Sequence, residues 1–425
     1  MYYVRTLMRQ LSERSLLFLL AAVQFTHIVD FMILMPLGPQ LMRDLHIGPG
    51  QLSSLVAAYT ISSGIVGLLA APFIDRFDRR KLLLFAYGGF MIGTLSCGLS
   101  INAATLLMGR ALSGTFGGLS IAMIMSIIGD VVPPERRAAG MGVVMTAFSA
   151  AAALGVPFGL KLAQMFRWEA PFLTLAGLAA IIWTIAYLRI PPVRGHLENR
   201  GDNDPTRAFS QLLRDSNAWR ALTFMSATVI GHFAIIPLLS PFLVGNVGLP
   251  ERDLFLVYMT GGVLTVFTAP VVGRLADSLG RRRVFACMVM VACAVAVWIT
   301  QSGPLPPWVV MVQAGMFFVF ASGRFIPGQA IMTLAVPASR RGAFMSLNGC
   351  ARDLTMGLAS SIGGWLVVKE PSGRLDNFQW LGWLAVVAGA ISIWLASRVH
   401  VNDVRAPAGA VPATETAEVP AVAEI

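Results

Sequence analysis

Apolar residues come in runs of about twenty, divided by short segments where arginine, glycine and proline collect. At ~1.5 Å per helical residue such a run covers the ~30 Å hydrocarbon core of a bilayer, so each reads as a membrane-crossing helix. The pattern predicts about twelve of them, near 16–41, 51–74, 82–101, 104–129, 139–163, 170–190, 217–244, 252–276, 283–302, 307–333, 341–368 and 378–398. Between the sixth and seventh lies PPVRGHLENRGDNDPTRAFSQLLRDSNAWR, rich in charge, proline and glycine, which reads as a linker with a surface helix near 208–214. The expected organisation is a cytoplasmic segment (1–15), a six-helix bundle (16–190), a linker (191–216), a second six-helix bundle (217–400) and a disordered tail (401–425). The tail, RAPAGAVPATETAEVPAVAEI, carries no periodicity.

The two halves repeat each other. APFIDRFDRRK at 71–81 aligns with GRLADSLGRRR at 273–283 through Asp75 and Asp277, each at the inner end of a second span. ERRAAGM at 135–141 aligns with SRRGAFM at 339–345 at nearly the same offset. The fold class expected is therefore an all-α membrane protein of two pseudo-symmetric six-helix bundles. Such repeats mark secondary transporters, whose substrate site lies between the halves near the bilayer midplane.

Composition agrees with that class. Mean hydropathy is +0.70, and only 13% of residues are charged, against ~25% in soluble proteins. The net charge of +10 sits in short loop clusters, which is a topology signal and not a nucleic-acid footprint. Arg5, Arg9, Arg14, Arg76, Arg79, Arg80, Lys81, Arg136, Arg137, the 189–220 stretch, Arg274, Arg281, Arg282, Arg283, Arg340, Arg341, Arg398 and Arg405 all fall on one side. By the positive-inside rule that side is cytoplasmic, with both termini on it. The basic start leads into an apolar run too long for a signal peptide and reads as a retained first helix. Cys97, Cys287, Cys293 and Cys350 lie in apolar spans without metal-ligand spacing, and the five histidines form no HxxxH or HExxH pattern. No P-loop is present, so neither a membrane enzyme nor direct ATP drive is expected, and no cofactor or metal is implied.

Charges inside the spans carry the chemistry. Asp30 lies in the first span, where an ionised side chain costs at least ~3 kcal/mol. His27 projects from the same face three positions earlier, and Pro36, Gly38 and Pro39 loosen the backbone one to two turns later. Arg110, His232, Arg324, Arg352 and Asp353 complete the set. His232 follows Asp30 by the 202 positions that relate Asp75 to Asp277, so the two are expected to flank one site if both face the cavity. A satisfied core histidine is the equal alternative for His232. Arg352 and Asp353 leave their helix ~100° apart, and Asp353 is expected to meet Arg324 as a buried structural pair, with substrate contact by Arg324, Arg352 and Asp353 in the cavity as the alternative. Phe25, Phe31, Met32, Met35, Tyr59, Phe148, Phe233 and Tyr258 are the candidate apolar lining of the cavity.

Over residues 15–400 the sequence resembles the major facilitator superfamily, and within it the drug:proton antiporter and sugar-efflux branch of bacterial exporters. The family's loop signature is complete in spacing at Gly273, Asp277, Gly280, Arg281 and Arg282, with Ser278 where a basic residue is usual. In the first half Asp75, Arg76, Arg79 and Arg80 match, while Ala71 and Asp78 stand where glycines are usual. LLMGRALSGTFGG matches the family's Arg-x-x-x-Gly element through Arg110 and Gly114. AAALGVPFGLKLA resembles the antiporter element through Gly155, Pro157 and Gly159, in the Gly-Val-Pro form that looks like the sugar-efflux relatives; simple helix packing explains those residues equally well.

The resemblance implies a conformational latch at the loops, with Asp75 facing the start of the eleventh helix and Arg79 pairing with Asp130, and an asymmetric second copy. It implies that Arg110 lies beside Asp30 as a proton-coupling pair. It implies a monomer in the bacterial inner membrane that exports a small organic molecule, a drug, sugar or siderophore, in exchange for protons. Uptake by the same fold is the alternative.

Overall fold

The computed structural model describes residues 12–70, 73–133, 136–194, 211–337 and 340–401 of the chain. Among the described residues twelve helical rods follow one another across the molecule. The first six are α1 (Glu13–Ile33) continued by α2 (Gly38–Asp44), α3 (Pro49–Ala70), α4 (Arg79–Gly98), α5 (Ala103–Val131), α6 (Arg137–Ala150) continued by α7 (Val156–Met165), and α8 (Ala170–Arg189). The second six are α9 (Ser216–Phe233) continued by α10 (Ile236–Gly245), α11 (Leu254–Leu279), α12 (Arg281–Thr300), α13 (Pro307–Gly323) continued by α14 (Phe325–Leu334), α15 (Arg341–Leu366), and α16 (Gln379–Arg398). A two-residue hairpin, β1 (Val368–Lys369) with β2 (Leu375–Asp376), joins the last two rods. The fold is thus all-α and membrane-spanning, as the spacing of apolar runs predicts.

One rod departs from the apolar pattern. Among the described residues eleven helical segments are long and apolar enough to cross a membrane; α15, with 26 residues, is long enough but carries Asn348, Arg352 and Asp353 in mid-course. The expected surface helix near 208–214 is helical at 211–214, and its first part lies outside the described residues, as do 1–11 and the tail from 402.

Four rods are broken, and proline accounts for each break. α1 stops at Ile33 and α2 starts at Gly38, around Pro36 and Pro39. α9 and α10 are separated at 234–235, just before Pro237. A π turn over Ala151–Gly155 precedes Pro157. Arg324 parts α13 from α14, three residues before Pro327. Proline has no N–H for the carbonyl four residues back, so the ladder opens there unless it shifts register.

Packing divides the molecule along its length. At the end remote from the arginine-rich loops a single core joins both halves, with Leu37, Leu41, Leu52 and Phe172 of the first half packed with Phe233, Leu238, Phe242 and Tyr258 of the second. Arg43 bridges to Glu251 across the halves at 2.8 Å, and Gln164 Nε2 donates to the Glu251 carbonyl at 3.0 Å. At the arginine-rich end the cores are separate, one built from α1, α4, α5 and α8, the other from α9, α12, α14 and α15. The α3–α15 seam reaches toward that end, where Leu68 of α3 packs against the second core. Small residues make it close: a Cβ on Gly64 would lie 2.7 Å from Leu354 Cγ, and one on Gly67 2.7 Å from Cys350 Sγ.

Asp78, which stands where the family has glycine, is a structural clamp. It N-caps α4 by accepting from the Arg80 amide at 3.0 Å, and it accepts from the Val193 amide at 3.3 Å and from Arg194 Nε at 2.8 Å. Burial works against its charge, but those hydrogen bonds and the Arg194 guanidinium outweigh it and hold the carboxyl below the usual aspartate range. A depressed folded-state pKa stabilises the protein above the ordinary aspartate pKa of ~3.9, and the contribution disappears as pH falls through the depressed value. Asp78→Asn is expected to lower stability by about 1–2 kcal/mol at neutral pH, with the difference from wild type vanishing in acid. Thermal unfolding against pH reads both; a loss that persists unchanged in acid removes the charge from the account.

Candidate functional site

Asp30 sits near the end of α1, and Arg110 lies two turns into α5. Arg110 Nη1 donates to Asp30 Oδ2 at 2.8 Å and to the Asp30 carbonyl at 3.1 Å, and both side chains have zero exposure. Thr94 Oγ1 of α4 donates to Asp30 Oδ1 at 3.1 Å. The guanidinium lies over the Tyr59 ring, 4.4 Å from its centroid. Glycines bring these backbones close. A Cβ on Gly93 would stand 2.5 Å from the Ser113 amide, and one on Gly114 2.1 Å from the Tyr59 carbonyl oxygen.

The pair is incompletely satisfied. Arg110 Nε and Nη2 are buried with no hydrogen-bond partner. Two charges out of water are offset only when geometry and hydrogen bonds are nearly complete, so this site is poised for change when either charge is altered.

The remaining sequence candidates separate into groups. His27 is buried one turn from Asp30, with neither ring nitrogen hydrogen-bonded, packed on Phe90 at 3.9 Å between centroids. Phe31 and Phe233 face each other across the halves at 6.2 Å. Asp30 and His232, each one residue earlier, are buried at different partners: Asp30 on Arg110, His232 against Phe317 at 4.9 Å. The expectation that they flank one open site is therefore corrected. A helical step of ~100° separates each from the phenylalanine at the seam and turns it into its own bundle. Tyr59 and Tyr258 are buried as well, the latter hydrogen-bonded to Ser240 at 2.7 Å, whereas Phe148 is 47% exposed.

The expected Asp353–Arg324 pair does not form. Asp353 accepts from Ser63 of α3 at 2.8 Å and pairs with Arg352 at 3.2 Å. The long arginine side chain spans the angular gap between adjacent residues, and Asp353 faces α3, not α14.

At the loops the structure brings Arg79 Nε within 3.1 Å of Asp130, and Arg79 Nη1 donates to the Ile74 carbonyl at 3.3 Å. Arg76 is exposed over Phe73, and Arg80 donates to the Tyr187 carbonyl. The Asp75 side chain lies outside the described residues. In the second copy Gly273 and the exposed Asp277 lie within α11, Gly280 ends it at φ +93°, and Arg282 donates to the Val399 carbonyl; Arg281 opens α12. A positive φ there suits glycine alone among common residues. Gly155 and Gly159 admit Val29 and Ile33 of α1, with Cβ approaches of 2.4 and 2.8 Å, and Pro157 is buried beside them. Sequence reasoning missed Thr94 and Ser63; each is one of several hydroxyls in its apolar span, with nothing local to single it out.

Comparisons with known proteins place this geometry in a family. A profile described as Major Facilitator Superfamily matches residues 20–324 and 266–423. The chain is 25% identical over 355 residues to the uncharacterised MFS-type transporter YceJ of Bacillus subtilis, covering 82% of this chain and 88% of that one. It is 24% identical over 356 residues to the inner membrane transport protein YajR of Escherichia coli, covering 79% and 73%. Its fold matches the crystal structure of a bacterial homolog of the human lysosomal transporter Spinster, in inward-facing and occupied conformation, with TM-score 0.72, 15% identity, and 90% and 96% of the two chains covered. With the profile spanning most of both halves, the chain belongs to the major facilitator superfamily of membrane transporters.

Proposed function

We propose that this transporter exchanges protons for a small organic molecule, with Asp30 as the proton-carrying group. The observation that supports the reading is the fully buried Asp30–Arg110 pair with its unpartnered guanidinium nitrogens. Protonation of Asp30 would remove the only charge opposing Arg110 among the described residues, and a buried cation left alone favours any rearrangement that finds it a new partner. Assigning the arginine-rich loops to the cytoplasm, by the positive-inside rule, makes the sealed end the outer one. On this reading the joined core closes the outer end, and the Asp30–Arg110 ion pair is the deprotonated stage of the cycle. Protons moving inward down the membrane potential contribute about 2.3 kcal/mol per charge per 100 mV to outward transport. The substrate is a drug-like compound, sugar or siderophore, and the membrane is the bacterial inner membrane with both termini cytoplasmic.

Proteoliposomes with an imposed pH gradient and an internal pH dye test the proposal against a compound panel. A substrate that collapses the gradient while moving opposite to protons supports exchange. Movement in the same direction as protons replaces it with uptake, and flux indifferent to the gradient removes proton coupling. A C-terminal reporter tests the orientation: labelling by an impermeant reagent from outside intact cells would invert it.

A further inference from the structure

The second bundle contains a buried cation that the exchange reading does not use. Arg324, only 4% exposed, stands at the break between α13 and α14. Among the described residues no carboxylate lies within ion-pair distance of it, and its Nε has no hydrogen-bond partner. Asp353, the acid that sequence offered to it, is held by Ser63 and Arg352 on α3 and α15.

Beside Arg324 is a small, partly open void of ≈ 10 Å³, lined by His232, Cys293, Ala296, Phe317 and Ala321 as well as Arg324 itself. His232 Nδ1 is likewise buried without a partner. We propose that this void holds a single halide ion, chloride in the cell, between Arg324 and His232.

Size, charge and symmetry support it. A void of that volume has room for one particle of about water size beside the guanidinium. Water would satisfy hydrogen bonds but neutralise nothing, and an unneutralised buried guanidinium is strongly destabilising. A halide supplies the missing negative charge and accepts from N–H groups of both residues. The start of α14, a ten-residue helix whose first residue follows Arg324, adds the positive end of its dipole on the same side. In the first bundle the places that correspond to His232 and Ala296, 202 positions earlier, are held by Asp30 and Thr94, which engage Arg110; the repeat position of Arg110 itself is Val312, so Arg324 reaches its site from a different place on the chain. The second bundle has an arginine but neither the carboxylate nor the hydroxyl, so its counter-charge comes from solution. This inference is independent of transport direction and of proton coupling.

The test is thermal unfolding of the purified full-length protein in sodium chloride, bromide or gluconate at equal ionic strength. Chloride and bromide are expected to raise Tm by several degrees over gluconate, with the rise growing as the logarithm of halide concentration. Arg324→Gln should abolish that response, whereas Arg252→Gln, on the exposed surface, should keep it. Ala296→Leu fills the void without changing charge and should also abolish it, which keeps the test decisive if Arg324→Gln does not fold. Radiolabelled chloride should bind wild type saturably and be displaced by bromide. Equal Tm in all three salts, absence of chloride binding, or a halide response that survives Arg324→Gln or Ala296→Leu overturns the proposal.

Discussion

Asp30→Asn is expected to fold, insert and bind substrate, yet to lose all response of transport to a pH gradient. The amide matches the carboxylate in shape, and its oxygen still accepts from Thr94 or Arg110. What it lacks is a site that takes up and releases a proton. For exchange of one proton, each pH unit contributes about 1.4 kcal/mol, so the steady-state substrate ratio of the wild type changes tenfold per unit. In the variant that ratio stays at one whatever gradient is imposed, while counterflow of labelled for unlabelled substrate continues. Substrate-induced shifts in Tm report retained binding. A variant whose accumulation still climbs tenfold per pH unit would move the proton to another group, with His27, one turn away and without hydrogen-bond partners, the next to examine.

The sequence made Asp30 and Arg110 conspicuous for an energetic reason: ionised groups inside apolar spans are costly, so each needs a partner or a task. It also exposed the repeat and the break within the first span, because Pro36, Gly38 and Pro39 are local signals. The break at Arg324 has a similar signal in Pro327, which sequence reasoning left unused. What sequence could not supply is the angle at which one helix presents a residue to another. Neighbouring spans suggest Asp353 and Arg324 as a pair, but the azimuth of Asp353 points it at Ser63. His232 has the repeat position of Asp30, yet depth and symmetry do not say that both turn away from the seam where Phe31 meets Phe233. Asp78 looked like a departure from the loop signature; its role as cap and clamp depends on Val193 and Arg194, more than a hundred positions later. Long-range packing decides these cases, and a single chain does not spell it out.

Arg110→Met is expected to be the most destabilising single substitution at this site, and Asp30→Asn/Arg110→Met to be markedly more stable than Arg110→Met alone. Methionine fills much of the same length but leaves the Asp30 carboxylate buried with only the Thr94 hydroxyl against it. Removing one member of a buried pair costs about 3–5 kcal/mol, whereas removing both charges is often close to neutral. The second substitution should therefore recover most of the stability, although it cannot restore a proton site. Thermal unfolding of the four proteins in one detergent gives the coupling energy, and gradient-driven flux gives its functional counterpart. The cycle separates two roles that coincide in the wild type. Arg110 also lies over Tyr59, and if stacking were its main contribution, the double variant would be as unstable as Arg110→Met. Recovery of stability without recovery of proton-driven transport is the pattern expected when the arginine serves chiefly as counter-charge to an acid whose ionisation drives the cycle.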